Sequence, residues 1–179
     1  MSTIDIESIL REVLREYALP WYGDHGLAHW GRVLENGVRL AATTGADLDV
    51  VALFAILHDA RRVNEHHDPG HGRRGADLAR SLRGECFELD DERFSLLVEA
   101  CSLHTDGQTE GPVTVRTCWD ADRLDLGRIG VVPWPERLCT DAGRDPAMIE
   151  WAHRRATEGV IAEVVLSLWD GLANNPPQA

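Results

Sequence analysis

A histidine and an aspartate, His58 and Asp59, stand side by side directly after the apolar run VVALFAIL. The apolar residues of this run recur at the spacing of one helix face, which predicts a helix that brings the pair next to the core. A buried carboxylate is costly unless a cation or several donors compensate it, and a divalent metal ion compensates Asp and His together. The pair therefore suggests metal chemistry. The alternative is a helix-terminal histidine followed by an aspartate that caps the next loop.

Three other predicted helices carry an ionisable side chain on an apolar face. Asp122 lies on the stripe of VRTCWDADRL, His104 ends the stripe of FSLLVEACSLH, and His29 begins the stripe of HWGRVLENGVRL. Each of them alone is typical of a core residue whose hydrogen bonds are satisfied, or of a helix cap. Left unpaired, each would cost about 1 to 3 kcal/mol. Four helices that all turn such a group inward therefore predict one shared ion.

The elements that position these groups are helices, since the chain shows no long alternating strand pattern and no internal repeat. Caps, breakers and apolar spacing predict helices from a cap at Thr3 to Tyr17, from Asp24 or Gly26 to Thr44, from Leu48 to Arg62, from Gly72 to Leu82, from Asp90 or Asp91 to His104, after Pro112 through Asp122, and from Asp145-Pro146 to about Leu172. The segment VVPWPERL, with two prolines, is expected to be irregular or a single helical turn.

Composition limits the classes of protein that fit. A chain of 179 residues, with 44% hydrophobic and 27% charged residues, is typical of one globular domain. A net charge of −12 argues against a nucleic-acid partner, although a small anionic substrate fits if arginines cluster locally. The chain begins with acidic residues, has no apolar stretch of membrane-spanning length, and its cysteines lack C-x-x-C spacing. We therefore expect a soluble, cytoplasmic protein with reduced cysteines and no membrane contact.

The order of these residues resembles that of the HD-domain superfamily of metal-dependent phosphohydrolases. The resemblance covers roughly residues 24–127, with His29, then His58-Asp59, then Asp122, each on a separate helix. It implies an all-α, single-domain helical bundle, which we expect to span residues 1–173 and to be followed by a disordered tail over 174–179. It also implies that His29, His58, Asp59 and Asp122 hold one divalent metal ion.

Two further histidines match the members of this superfamily that bind two metals. His71 opens HGRRGA after a proline, and His104 opens HTDG. The resemblance implies that these two histidines complete a second metal site with Asp59 bridging the ions. For His71 the alternative is a residue at a helix N-terminus in a solvated loop.

The chain also departs from named subgroups of the superfamily. The pair is followed by ARRVNE, which lacks the Glu-Asp of the guanosine-alarmone hydrolases and the Gly-Lys of several two-metal oxygenases and cyclic-dinucleotide hydrolases. The Gly-Tyr-Pro extension after His104 is also missing. The sequence therefore defines the superfamily better than it defines the substrate.

The expected activity is hydrolysis of a small phosphorylated molecule, such as a phosphomonoester, a phosphodiester or a nucleotide. Mixed imidazole and carboxylate ligands suit one or two ions of Mn, Fe, Co, Ni or Zn, and the nucleophile is then a metal-bound hydroxide. Asp59 is the expected catalytic ligand, Arg62 the preferred contact to a phosphate, and Glu65 a candidate to orient water. Two alternatives stay open: a di-iron oxygenase on the same scaffold, and a regulatory module that binds a metal or ligand without turnover. The oligomeric state is left open.

Overall fold

Within residues 4–167, the part of the chain that a computed structural model describes, the secondary structure is helical. The α-helices are α1 (Ile6–Leu14), α2 (Leu27–Thr44), α3 (Leu48–Leu57), α4 (His71–Leu82), α5 (Asp91–Leu103), α6 (Val113–Arg123), α7 (Asp141–Arg144) and α8 (Pro146–Thr157). Two 3₁₀ turns, Leu126–Ile129 and Pro135–Arg137, join α6 to α7, and a further helical turn occupies residues 163–167. In this part of the chain, β-structure is limited to an isolated bridge between Arg83 and Phe87. The predicted all-α class is confirmed.

The most apolar helix, α3, lies at the centre of the fold. It begins where the Asp47 side chain accepts hydrogen bonds from the Asp49 and Val50 amides, which satisfies two of the free N–H groups of its first turn. From Val50 onward most of its side chains are buried, and it packs against α1, α2, α4, α5 and α6. Because α3 is apolar on all sides after its first turn, it buries nearly all of its surface from Val50 onward, and its C-terminal end carries His58 and Asp59 into the middle of the bundle.

Helix α4 packs against α5 and against the end of α3 at very short range. A Cβ atom placed on Gly75 would lie 2.5 Å from the Leu57 carbonyl oxygen and 2.9 Å from that of His58. A Cβ atom on Gly72 would lie 2.4 Å from the Cys101 carbonyl oxygen. Only glycine permits these two backbone approaches, and they bring His71, the first residue of α4, to the ends of α3 and α5.

Several helix boundaries agree with the predictions. Helix α2 ends at Thr44, and Gly45 follows with a φ of 72°, the left-handed conformation typical of a helix C-terminus. Helix α5 is capped by Asp90 and reaches His104 as its C-cap residue. Helix α4 starts one residue earlier than predicted, and the segment with two prolines contains a single 3₁₀ turn.

Two predicted helices end earlier than expected. Helix α1 is capped by Asp5 and ends at Leu14 instead of Tyr17, while Thr3 lies outside the described residues. Helix α3 ends at Leu57 instead of Arg62, and turns take over at Ala60 and Arg62. No proline or glycine stands between His58 and Arg62, so tertiary contacts to α4 and α5, which a local pattern does not contain, end this helix.

The last predicted helix is interrupted. Helix α8 ends at Thr157, and Gly159 adopts a φ of 65°, where the chain leaves the helix. The apolar spacing continues past this point, which is why the pattern predicted one long helix. The expected end at about Leu172 and the expected disordered tail over 174–179 lie outside the described residues.

The cysteines are free thiols, and three of the four are buried. This agrees with their interpretation as reduced core residues. Among the described residues, no helix has the length and apolar character needed to cross a lipid bilayer.

Candidate metal centre

All the predicted metal-binding side chains meet at one place, beside the C-terminal end of α3. Each comes from an end or the first turns of its element, and the elements converge there: His29 from α2, His58 and Asp59 after α3, His71 from α4, His104 after α5 and Asp122 from α6. Their side chains are between 0% and 7% exposed, except that of Asp122, which is 17% exposed. The Asp122 side of the cluster is therefore its more accessible side.

Four ligand atoms form a first cluster. The Nε2 atoms of His29 and His58 are 3.1 Å apart. Asp59 Oδ2 and Asp122 Oδ1 lie 3.6 and 3.5 Å from His29 Nε2, and both lie 3.7 Å from His58 Nε2. Ligands at about 2.0–2.2 Å from a metal ion are separated from each other by roughly 2.9–3.6 Å, so this spacing suits one ion at the centre.

Three ligand atoms form a second cluster on the other side of Asp59. The Nε2 atoms of His71 and His104 are 3.0 Å apart, and Asp59 Oδ1 lies 3.2 Å from the first and 3.6 Å from the second. Asp59 thus turns one carboxylate oxygen towards each cluster. Three overlapping groups of side chains place their ligand atoms close enough to hold a metal ion: His29 with His58 and Asp59, Asp59 with His71 and His104, and, between the two clusters, His58 with His104 and Asp122.

The outer nitrogens of the four histidines fix the tautomers of the rings. His29 Nδ1 faces Asp125 Oδ2 at 2.7 Å, and the Nδ1 atoms of His58, His71 and His104 face the backbone carbonyls of Phe54, Asp68 and Cys101 at 3.0, 2.6 and 2.8 Å. Because carboxylate and carbonyl oxygens accept hydrogen bonds, we assign the ring proton to Nδ1 in each case. Each Nε2 then presents a lone pair to the centre, and the lone pairs repel one another unless a cation lies between them.

The pKa shifts of Asp59 and His58 also indicate that the cluster is more stable with a cation in it. Burial opposes ionisation of Asp59, but the charge of His58 and the imidazoles of His104 and His71 outweigh it and hold the pKa of Asp59 well below its usual value. Burial likewise opposes protonation of His58, but the charges of Asp59 and Asp122 outweigh it and raise the pKa of His58. A proton on His58 is the smallest cation that compensates these carboxylates, whereas a metal ion would compensate both of them and the two imidazole lone pairs together.

One carboxylate oxygen has no partner of its own. Asp59 Oδ1 is buried and accepts no hydrogen bond from the described residues. An unsatisfied buried acceptor costs about 1 to 3 kcal/mol, and more when it is charged. A metal ion between the two clusters, or a neighbouring cation, would remove this cost.

Asp125 is a site residue that the sequence interpretation missed. It is 1% exposed, and besides His29 it binds the Arg32 guanidinium, with Oδ1 2.6 Å from Arg32 Nε. It orients the His29 ring and compensates a buried arginine. The signal in the sequence was its spacing, since it follows Asp122 by one helical turn, but the helix ends between them and hides the pattern.

Arg62 lies at the second cluster. Its Nη1 is 3.1 Å from His71 Nε2 and 3.6 Å from Asp59 Oδ1. Its Nη2 donates to the His66 carbonyl at 2.6 Å, and its Nε lies 3.3 Å from the Asn64 carbonyl. Contact of Arg62 with a phosphate stays a prediction.

Glu65 forms a pair with His25 instead of touching the predicted ligands. Glu65 Oε2 lies 2.5 Å from His25 Nδ1, and Glu65 Oε1 is buried without a hydrogen-bond partner among the described residues. The structure thus shows a carboxylate that orients an imidazole beside His29, whose ring centroid is 6.2 Å from that of His25. A role of Glu65 in orienting water stays a prediction.

Three other arginines close to these residues in the sequence, Arg61, Arg74 and Arg123, are engaged in structural contacts. Arg61 pairs with Glu16, and Arg74 binds both carboxylate oxygens of Asp68. Arg123 donates to backbone carbonyls and is directed away from the ligands. His66 and His67 are exposed in the loop before α4.

The fold and the site together define a helical protein with a buried histidine and aspartate centre, and comparisons with known proteins agree. The model of the HD domain family matches residues 26–129, more than half of the chain. The chain therefore belongs to the HD domain family, and the predicted family is confirmed.

A solved structure extends this similarity to nearly the whole chain. The crystal structure of a predicted HD superfamily hydrolase from an uncultured Thermotogales bacterium is 28% identical in sequence, with a TM-score of 0.63 over 92% of this chain and 91% of that chain. No curated protein matches the chain significantly.

Proposed function

We propose that this protein is a metal-dependent hydrolase of a small phosphorylated molecule. The observation that carries the proposal is the first cluster, where the Nε2 atoms of His29 and His58 lie 3.1 Å apart and each lies 3.5–3.7 Å from one oxygen of Asp59 and one of Asp122. The protein of the similar solved structure is described as a predicted hydrolase, which supports hydrolysis as the class of reaction. His29, His58, Asp59 and Asp122 would hold the ion, of Mn, Fe, Co, Ni or Zn type.

A divalent ion bound there would lower the pKa of a water molecule and polarise a phosphoryl oxygen. The residues of the chain orient the imidazole rings and exclude bulk water. Asp125 holds the His29 ring with its Nε2 inward, and the Phe54 carbonyl does the same for His58. The substrate would approach past Asp122, the more exposed of these ligands. Burial of the other ligands excludes bulk water from the far side of the centre, which strengthens the electrostatic interactions there.

The test is metal analysis followed by a panel of phosphomonoesters, phosphodiesters and nucleotides, assayed with added Mn²⁺, Co²⁺ or Ni²⁺. We expect turnover with at least one of these metals, and its loss in His58→Ala and Asp59→Asn. His67→Ala is the matched control, because it removes an exposed histidine from the adjoining loop and should leave turnover unchanged. Folded, metal-loaded protein that hydrolyses nothing in the panel would support the regulatory module instead.

A di-iron oxygenase is the second candidate, because the second cluster shares Asp59 with the first. This alternative requires two iron ions per chain. Anaerobic loading with Fe²⁺ and measurement of O₂ consumption would distinguish it from a hydrolase, whose activity needs no O₂.

A further inference from the structure

The two clusters differ in the positive charge that the protein itself supplies. At the first cluster, the neighbouring cationic side chains of Arg32 and Arg128 face Asp125 and not the ligand atoms. At the second cluster, the Arg62 guanidinium faces both Asp59 Oδ1 and His71 Nε2. The first cluster therefore lacks a cation that the second already has.

The position of Arg62 is fixed by hydrogen bonds on three of its nitrogens. Nη2 and Nε bind the carbonyls of His66 and Asn64, and Nη1 donates to His71 Nε2. The side chain is 7% exposed, so it is held within the protein and not in solvent. The lone pair of His71 that a second metal ion would need is thus already used by a guanidinium N–H group.

We propose that Arg62 is the cation of the second cluster, and that the protein consequently holds one divalent ion per chain, in the first cluster. This inference rests on the proposed metal-dependent function. Arginine does not lose its proton in proteins, so a second divalent ion would stand within a few ångströms of a permanent positive charge. Binding of a second ion would first require Arg62 to leave its two carbonyl partners.

The arrangement also bears on the chemistry. The Arg62 charge lies 3.6 Å from Asp59 Oδ1, close enough to offset its charge without a hydrogen bond, and Asp59 Oδ2 stays directed at the first cluster for the ion there. A single ion beside a fixed guanidinium suits an anionic phosphoryl group. It does not suit oxygen chemistry that needs two iron ions, so Arg62 favours the hydrolase over the oxygenase.

The experiment counts bound metal in wild-type protein, in Arg62→Met and in Arg61→Met. Each protein is saturated with Mn²⁺, freed of excess ion, and measured by elemental analysis and by electron paramagnetic resonance. We expect about one ion in the wild type and about two in Arg62→Met, with the spectrum of a coupled Mn pair only in the latter. Affinity for the second ion should rise on the order of a hundredfold or more when the guanidinium is removed. Arg61→Met, which removes a neighbouring guanidinium that pairs with Glu16, should bind one ion.

The outcomes separate this inference from the proposed function. Two ions in the wild type, or only one in Arg62→Met, would overturn the role of Arg62 and leave the proposed function intact. A wild type that binds no ion would remove the proposed function itself. If Arg62→Met does not fold, His71→Ala tests the inference instead. We expect His71→Ala to bind as many metal ions per chain as the wild type, and a loss of metal would contradict the inference.

Discussion

Asp125 controls the centre through His29, and Asp125→Asn tests this control. The carboxylate accepts from His29 Nδ1 at 2.7 Å through Oδ2, and from Arg32 Nε at 2.6 Å through Oδ1. An asparagine has one acceptor oxygen, so its NH₂ group must face one of these two donors. If it takes the place of Oδ2 and faces His29, the ring proton moves to Nε2 and blocks the lone pair that would bind metal, and the NH₂ group also opposes Arg32 Nη2, which lies 3.2 Å from Oδ2. If it faces Arg32, two donors oppose each other in a buried site.

The magnitude follows from these two cases. Loss of the partner that orients a metal-binding histidine lowers metal affinity about 10- to 100-fold, which is roughly 1.4 to 2.7 kcal/mol. The opposed or weakened contact to Arg32 should lower the free energy of unfolding of the metal-free protein by about 2 to 3 kcal/mol.

The assay is competition for Co²⁺ against a chromophoric chelator, together with urea unfolding of chelator-treated protein. Asp120→Asn is the matched control. Asp120 is also fully buried, but it accepts from the Cys139 and Thr140 amides and from the Thr140 hydroxyl, and it touches no predicted ligand. It should lose stability and keep its Co²⁺ affinity. Wild-type affinity in Asp125→Asn, or an equal loss of affinity in Asp120→Asn, would refute the reasoning.

Two further predictions follow from packing and charge. Gly75→Ala would place a methyl group 2.5 Å from the Leu57 carbonyl oxygen, so we expect the free energy of unfolding to fall by about 1 to 3 kcal/mol and metal binding to weaken. Gly45→Ala is the comparison. Gly45 has open space around it but a positive φ, so this variant should lose stability and keep its metal affinity. In the metal-free protein, burial and the charge of Arg128 lower the pKa of His29 to about 4, so the unfolded chain binds this proton first and stability should fall by about 3 kcal/mol from pH 6.5 to pH 4. His58, whose pKa the charges of Asp59 and Asp122 raise, acts in the opposite sense: its stabilisation is complete only well below its unfolded pKa of about 6.5, so it offsets part of the His29 slope near pH 6.5 and adds almost none below about pH 5.5. Urea unfolding at a series of pH values checks this, and a flat profile between about pH 5.5 and pH 4, where the His29 contribution still falls, would contradict it.

Most of the candidate site residues could be predicted from the sequence, because the spacing of apolar residues indicates which face of a helix is buried. An ionisable residue on an apolar stripe is costly, and His29, His58, His104 and Asp122 all stand on or at the end of such stripes. The same spacing, with its caps and breakers, predicted the helices. It failed where a helix ends for a reason outside its own segment, as α3 does after Leu57.

The sequence alone determined the helical class and the family, and it named the six predicted metal-binding side chains that the structure brings together, because residue type and helical period are local properties. Which oxygen of Asp59 faces which cluster, the pairing of His29 with Asp125, and the position of Arg62 were decided by the tertiary structure. These contacts join residues that are far apart in the sequence, so no helical period links them. They depend on how closely α4 approaches the end of α3 at Gly75. A one-dimensional pattern can therefore name the candidate ligands, while the packing of the helices decides which atoms face one another and where the Arg62 guanidinium lies.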